Sequence, residues 1–313
     1  MPKVTVLMSV YNTEEKHLRE AIESILNQTF SDFEFLIIND GSKNNAQEVI
    51  LSYKDDRINY VLNEHNLGLI DSLNKGIELA KGEYIARFDS DDISLSQRLQ
   101  KQVEYMDTHP EVGLLGTQFE SFPKKRVSSG LSDNKLIKEA LLVSSNQLGH
   151  PTVMMRKSVL NEYNIRYDKE ALYMEDYKMW LDMAEHTEIA NLDEVLLNYR
   201  RHGGSICTNN VIKQNLNVQK IMFTAQAQHF GIESKDVLQV IQKLSNNEKI
   251  KTSDLQSILD FVNLIKEKMI QENFTIEYRL NHITAKYALK KCNKDLKYIK
   301  MFILGDLKLF FEK

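Results

Sequence analysis

Four times between residues 4 and 88 a short run of β-branched and apolar residues is followed by a segment with helical spacing or by a polar break. This alternation constrains the fold more than any other feature of the chain. Residues 4–10 lack the period-two pattern of a half-exposed strand and read as a strand buried on both faces. Leu18, Ala21, Ile22, Ile25 and Leu26 then recur along one face of a helix over 17–27. Residues 33–38 read as a second strand stopped by Gly41-Ser42, 44–53 as a helix, 58–62 as a third strand, 69–80 as a helix and 84–88 as a fourth strand. Such alternation predicts an α/β fold: a Rossmann-like, mostly parallel sheet with helices on both faces.

Beyond residue 92 the pattern changes. A helix is expected over 95–108, a strand over 112–117, a polar Lys- and Ser-rich loop, a strand over 151–156 and a helix over 176–185. From about Asn209 onward the chain reads as almost wholly helical. Val237, Val240, Ile241 and Leu244 share one face, and Ser253-Asp254-Leu255-Gln256 resembles a capping box opening another helix. The expected boundary lies near residue 205, separating an α/β domain over 1–205 from a helical region over 206–313.

The totals exclude several classes. A 313-residue chain buries a sizeable core, and a formal charge of -4 excludes bulk nucleic acid as the main partner. Cys207 and Cys292 lack metal-site spacing and read as free thiols of a reducing compartment. The start reads as a strand rather than a signal peptide, and no apolar run approaches the roughly 20 residues that span a bilayer. A cytoplasmic location is expected.

In open parallel sheets ligands gather beyond the carboxyl ends of the strands. Three polar clusters fall there: Tyr11-Asn12, Asn39-Asp40-Gly41 and Asp89-Ser90-Asp91-Asp92. Three carboxylates in four residues repel one another unless a cation or donors compensate, and a hard divalent ion shared with a diphosphate does so. The bland alternative is that Asp92 or Ser94 caps the next helix. Asp40 suits the N–H groups of a nucleobase or ribose hydroxyls, or else belongs to an ordinary Asn-Asp-Gly turn. Glu175-Asp176 suits a general base at a cleft edge, or else complements a helix dipole. Tyr199-Arg200-Arg201-His202 suits a diphosphate and a metal, or else is a solvated basic turn. Neither G-x-G-x-x-G nor a Walker loop follows the first strand, so phosphates need another counter-charge.

These motifs, in order, resemble family 2 inverting glycosyltransferases of the GT-A fold, of the bacterial kind that builds surface polysaccharide or lipooligosaccharide. The resemblance covers about residues 1–205 and includes Ser24-Ile25-Leu26-Asn27-Gln28-Thr29-Phe30, Asn66-Leu67-Gly68, Asn74-Lys75-Gly76, Gly82 to Asp92, and His150-Pro151-Thr152. It implies a nucleotide-binding half over 1–92 and an acceptor half over 93–205. It also implies a UDP-sugar donor, with Tyr11 and Asp40 on the uracil, Asn66 near the base or ribose, and Asp89 on the ribose. Arg87 groups with these nucleotide-binding residues. Asp91 would ligate Mn2+ or Mg2+, with His202 completing the shell and Arg200 on phosphate. Asp176 would be the general base, and Glu175 would face the transferred sugar or the acceptor. A narrower likeness favours transfer of β-linked GlcNAc or galactose. The acceptor class implied is a glycan or lipid-linked oligosaccharide. The stretch 119–148 matches no motif.

Two rivals stay open. A nucleotide-sugar nucleotidyltransferase should carry a glycine-rich basic loop where Asn12-Thr13-Glu14-Glu15 stands, and an inactive UDP- or glycan-binding protein need not keep all of Asp40, Asp89, Asp91 and Asp176. From Lys286 to Lys313, eight lysines against three acids interleave with apolar and aromatic residues. Packing on the catalytic domain or a homodimer contact is expected for 275–289, and contact with an anionic membrane surface for the last twenty residues.

Overall fold

The computed structural model describes residues 1–201 and 211–276. They form two compact units. Among the described residues the first comprises Met1–Lys138, Asn146–Glu170 and 178–201, and the second Glu139–Ser145, Ala171–Tyr177 and 211–276. The second unit thus takes in two short segments from within the range assigned above to the α/β domain.

The first unit is built on strands β1 (Val4–Val10), β2 (Phe33–Asn39), β3 (Ile58–Leu62), β4 (Tyr84–Asp89), β5 (Ile93–Ser94), β6 (Val112–Phe122), β7 (Arg126–Val127), β8 (Met154–Arg156) and β9 (Glu188–Arg200). They make one sheet in the order β3-β2-β1-β4-β8-β6-β9-β5, with β7 on β6. β1 pairs in parallel with β2 and β4, and β2 with β3. β8 is antiparallel to both β4 and β6, whereas β9 runs parallel to β6. Helices α1 (Glu15–Leu26), α2 (Ala46–Ser52), α3 (Leu69–Leu79), α4 (Arg98–Thr108), α5 (Asn134–Val143), α6 (Lys157–Glu162) and α7 (Glu175–Ala184) follow the strands. β2 is buried along its whole length, as its unbroken apolar run requires. Gly76 in α3 is where helix meets sheet, since a Cβ there would fall 2.2 Å from the Leu7 side chain.

The four N-terminal strands lie where their sequence places them. Later elements differ. The strand expected over 112–117 continues to Phe122, and the one expected over 151–156 keeps only Met154–Arg156, because His150–Thr152 form a 3-10 turn with Pro151 near its start. The polar stretch after β7 contains α5, which buries Ile137, Ala140 and Leu141. β9 was not expected as a strand. It contains Asp193 and Glu194, and its parallel pairing with β6 crosses three register shifts.

The second unit holds α8 (Val211–Phe230), α9 (Lys235–Ser245) and α10 (Thr252–Gln271). Val237, Val240, Ile241 and Leu244 pack with Leu255, Ile258 and Val262, as their spacing predicts. α10 starts just before the expected capping box, and Asp254 accepts the Lys251 N–H at 2.7 Å. Among the described residues no helix is long and apolar enough to cross a membrane. The Lys286–Lys313 segment, Cys207, Cys292 and the expected boundary at 205 lie outside them.

Candidate active site

Register sets the site. Val10 lies beside Asn39, Asn39 beside Leu62, and Ser9 beside Asp89, so the carboxyl ends of four parallel strands stop along one edge. The loops that leave this edge are tied together. Asn12, with φ +53, donates its N–H to Ser42 Oγ at 3.0 Å and accepts the Lys43 N–H at 2.8 Å. Asparagine tolerates this left-handed conformation better than most residues. Thr13 and Ser90 share a hydroxyl hydrogen bond of 2.6 Å, which joins the first loop to the acidic turn. Tyr11 stands half exposed beside them.

Asp40 is 1% exposed, and four donors converge on its carboxylate. The Asn63 side-chain amide and the Leu67 N–H donate to Oδ1 at 2.8 and 2.9 Å, and the Asn66 amide and the Gly68 N–H to Oδ2 at 2.9 Å each. Asp40 thus braces the loop between β3 and α3, and Asn66 points its amide at Asp40. Gly41 lets that loop approach: its φ is +68, and a Cβ would lie 2.6 Å from the His65 carbonyl carbon.

Within β4, Arg87 and Asp89 point to the same face, as i and i+2 must. Arg87 is buried, and its Nη1 lies 2.6 Å from Asp89 Oδ2. Arg98, in α4, is fully buried and donates Nη2 to the Arg87 carbonyl at 2.8 Å and Nε to Gln102 at 3.1 Å. Burial and the neighbouring Arg87 charge push Arg98 down to about 9. Sequence reading passed over Arg98 and Gln102; the available signal was two polar residues at i and i+4 on the apolar face of α4, beside Leu99, Val103 and Met106.

Asp92 does not cap a helix. α4 begins at Arg98, behind Gln97, and Asp92 is 1% exposed and accepts the Arg200 N–H at 2.7 Å. Nor does Ser94 cap it: its hydroxyl accepts the Gln28 side-chain amide at 3.1 Å, which gives the Gln28 motif a structural reason. Burial, together with Asp89 and Asp91, raises the Asp92 carboxyl well above the ordinary range. Arg200 ties the end of β9 to the acidic turn and to α1. Its Nε donates to the Asp91 carbonyl at 2.6 Å, its Nη2 pairs with Glu20 at 2.5 Å, and its guanidinium lies 4.5 Å from the Phe122 ring centroid.

The turn fits a divalent cation in its donor chemistry. Three hard carboxylates are adjacent, and Asp92 Oδ2 is buried with no hydrogen-bond partner. Among the described residues no three His, Cys, Asp or Glu side chains converge on one point, so a cation here needs ligands from elsewhere as well. His202 lies outside the described residues.

His150 opens the His150-Pro151-Thr152 motif. Its Nε2 shares a 2.9 Å hydrogen bond with the Tyr167 hydroxyl, and its ring meets Trp180 edge-on with centroids 5.9 Å apart. Burial, and then the Arg87 charge, holds the imidazole well below its ordinary range, so it is neutral near pH 7.

The family model "Glycosyl transferase family 2" matches residues 5–164, which include these strand ends and the acidic turn. The chain belongs to glycosyltransferase family 2. An uncharacterized glycosyltransferase of Haemophilus influenzae is 30% identical over 318 residues, covering 96% of this chain and 97% of that one. The Escherichia coli UDP-Glc:alpha-D-GlcNAc-diphosphoundecaprenol beta-1,3-glucosyltransferase WfgD is 26% identical over 208 residues, 66% of this chain and 80% of that one. The crystal structure of S. aureus TarS 1-349 in complex with UDP-GlcNAc superposes with a TM-score of 0.63 at 17% identity, covering 97% of this chain and 92% of that one, which supports the GT-A fold.

The second candidate group of this glycosyltransferase is in the other unit. Glu175 and Asp176 are half-buried in the first turn of α7, and Asp176 Oδ1 accepts the Tyr177 N–H at 2.7 Å. Tyr173, just before them, has φ +71, an uncommon conformation for a bulky side chain.

Proposed function

We propose that this enzyme moves a hexose or N-acetylhexosamine, GlcNAc or galactose foremost, from a UDP-sugar to a hydroxyl of a glycan or lipid-linked oligosaccharide, inverting the anomeric centre. The observation that carries this reading is the shared edge of β1, β2 and β4. There an exposed Tyr11, the braced Asp40 loop and the Asp89–Asp92 turn stand side by side in a family 2 chain. The name of WfgD and the UDP-GlcNAc complex of TarS support a UDP-sugar donor.

In this reading Tyr11 and the loop held by Asp40 and Asn66 receive the uracil, and Asp89, oriented by Arg87, receives the ribose hydroxyls. Arg200 serves the diphosphate and also positions the acidic turn through its contacts with Asp91, Asp92 and Glu20. Asp91 holds Mn2+ or Mg2+, with His202 as a further ligand, and the cation when bound supplies positive charge to the diphosphate. Asp176 takes the proton of the acceptor hydroxyl, and Glu175 faces the transferred sugar. That oxygen attacks the anomeric carbon, the bond to UDP breaks with its electron pair on UDP, and an α-linked donor yields a β-linked product. Residues 294–313 meet an anionic membrane surface, where a lipid-linked acceptor resides.

Release of UDP from a panel of UDP-sugars, with and without EDTA, tests the proposal. Release from at least one donor, abolished by EDTA, is expected; no release from any donor in the presence of a glycan acceptor rejects it.

A further inference from the structure

The α/β unit has a concavity away from the strand ends. A cavity of about 450 Å³ opens between the segment after α6 and the later turns of α7, with Tyr163, Arg166, Asp168, Lys178, Asp182 and Glu185 among its lining. That volume is in the range of small-molecule sites, about 300–1,000 Å³. Its polar rim is held in place before any ligand arrives. Lys178 Nζ donates to both Asp182 oxygens at 2.6 and 2.7 Å, Arg166 Nη1 donates to the Leu160 and Ile165 carbonyls at 3.0 and 2.8 Å, and Asp168 accepts the Glu170 N–H at 2.8 Å.

Charge and shape select among ligands. Three carboxylates face two cations, and both cations are engaged, so the cavity disfavours a phosphate or other anion. An apolar ligand would strip water from these charged groups and offer no hydrogen bond in return. What suits the lining is a neutral molecule with many hydroxyls and one C–H face. Tyr163 supplies the platform for that face. Its ring stacks on His186 with centroids 4.0 Å apart and planes 8° apart, while 43% of the residue stays exposed. The electron-rich face of an aromatic ring attracts the weakly positive C–H groups of a pyranose.

Position completes the case. Tyr167, in the same wall, shares its hydroxyl hydrogen bond with His150. The cavity lies in the same unit as Asp89.

We propose that this cavity binds a neutral pyranose of the glycan acceptor, away from the reacting hydroxyl. The proposal rests on the glycosyl-transfer reading, and its test is kept separate from it. The full-length protein, without donor, is applied to an array of neutral hexose and N-acetylhexosamine oligosaccharides beside uronic-acid and sulfated ones. Neutral members should be captured. Tyr163→Ala should weaken capture about tenfold or more, Tyr163→Phe should restore it, and UDP binding by calorimetry should be equal in all three proteins. No capture of neutral members, capture confined to anionic ones, or capture unchanged in Tyr163→Ala would overturn the proposal. Loss of UDP release from every donor would instead count against the transfer reading.

Discussion

The Arg200 backbone N–H donates to the Asp92 carboxylate at 2.7 Å across 108 residues of sequence, joining the end of β9 to the acidic turn. Asp92 is therefore a buried acceptor for a distant strand. Asp92→Ala leaves that N–H without its partner and should destabilise the protein by about 1–3 kcal/mol, whereas Asp92→Asn keeps an acceptor oxygen and should cost less. Urea unfolding of both variants decides; equal losses would count against the acceptor role.

Asp40 makes a sharper case, since four donors meet its two oxygens. In Asp40→Asn one oxygen becomes an NH2 group facing two donors, and the loss should reach about 2–3 kcal/mol with weaker UDP binding. If stability is unchanged and only UDP affinity falls, Asp40 serves the ligand and not the loop.

Asp91→Ala and Asp176→Asn should fail in different ways. Asp176→Asn should lower kcat by about 10²–10⁴ and leave UDP affinity intact, as loss of a general base does. Asp91→Ala should lose both transfer and the Mn2+-dependent part of UDP binding. Full transfer by purified Asp176→Asn refutes the base assignment.

His150 gives stability a pH dependence. Its folded-state pKa is depressed, so above the unfolded value of about 6.5 both states are neutral and the contribution is complete. As pH falls below that value the unfolded chain takes up the proton first, and stability is lost toward the folded-state pKa. The urea midpoint should therefore drop less between pH 7.5 and 5.5 in His150→Gln than in the wild type. Parallel midpoints in the two proteins would show that His150 does not contribute.

Sedimentation with anionic vesicles should bring down the full chain at low salt and release it as salt rises, through the lysines of 294–313. Truncation before Lys294 should abolish binding; absence of binding at low salt sinks the membrane role.

Much of the nucleotide-binding half was legible from sequence because β1, β2 and β4 are buried and carry their own apolar runs. β9 was not, because Asp193 and Glu194 interrupt its pattern and its pairing is set by β6, more than 70 residues away. α5 had a readable apolar spacing in Ile137, Ala140 and Leu141, hidden by its polar surroundings. The family was legible from ordered motifs, several of which place a polar group just past a strand.

What the sequence by itself determined was where β1 to β4 end, to within a residue, since local burial and turn chemistry act over a few positions. Only the tertiary structure decided what those residues touch. It made Asp92 an acceptor rather than a cap, turned Arg200 inward to Glu20 and Asp91, surrounded Asp40 with donors, and set Arg98 beneath Arg87. Each of these depends on strand register and helix packing between distant segments, and no local pattern encodes which buried donor will find which acceptor.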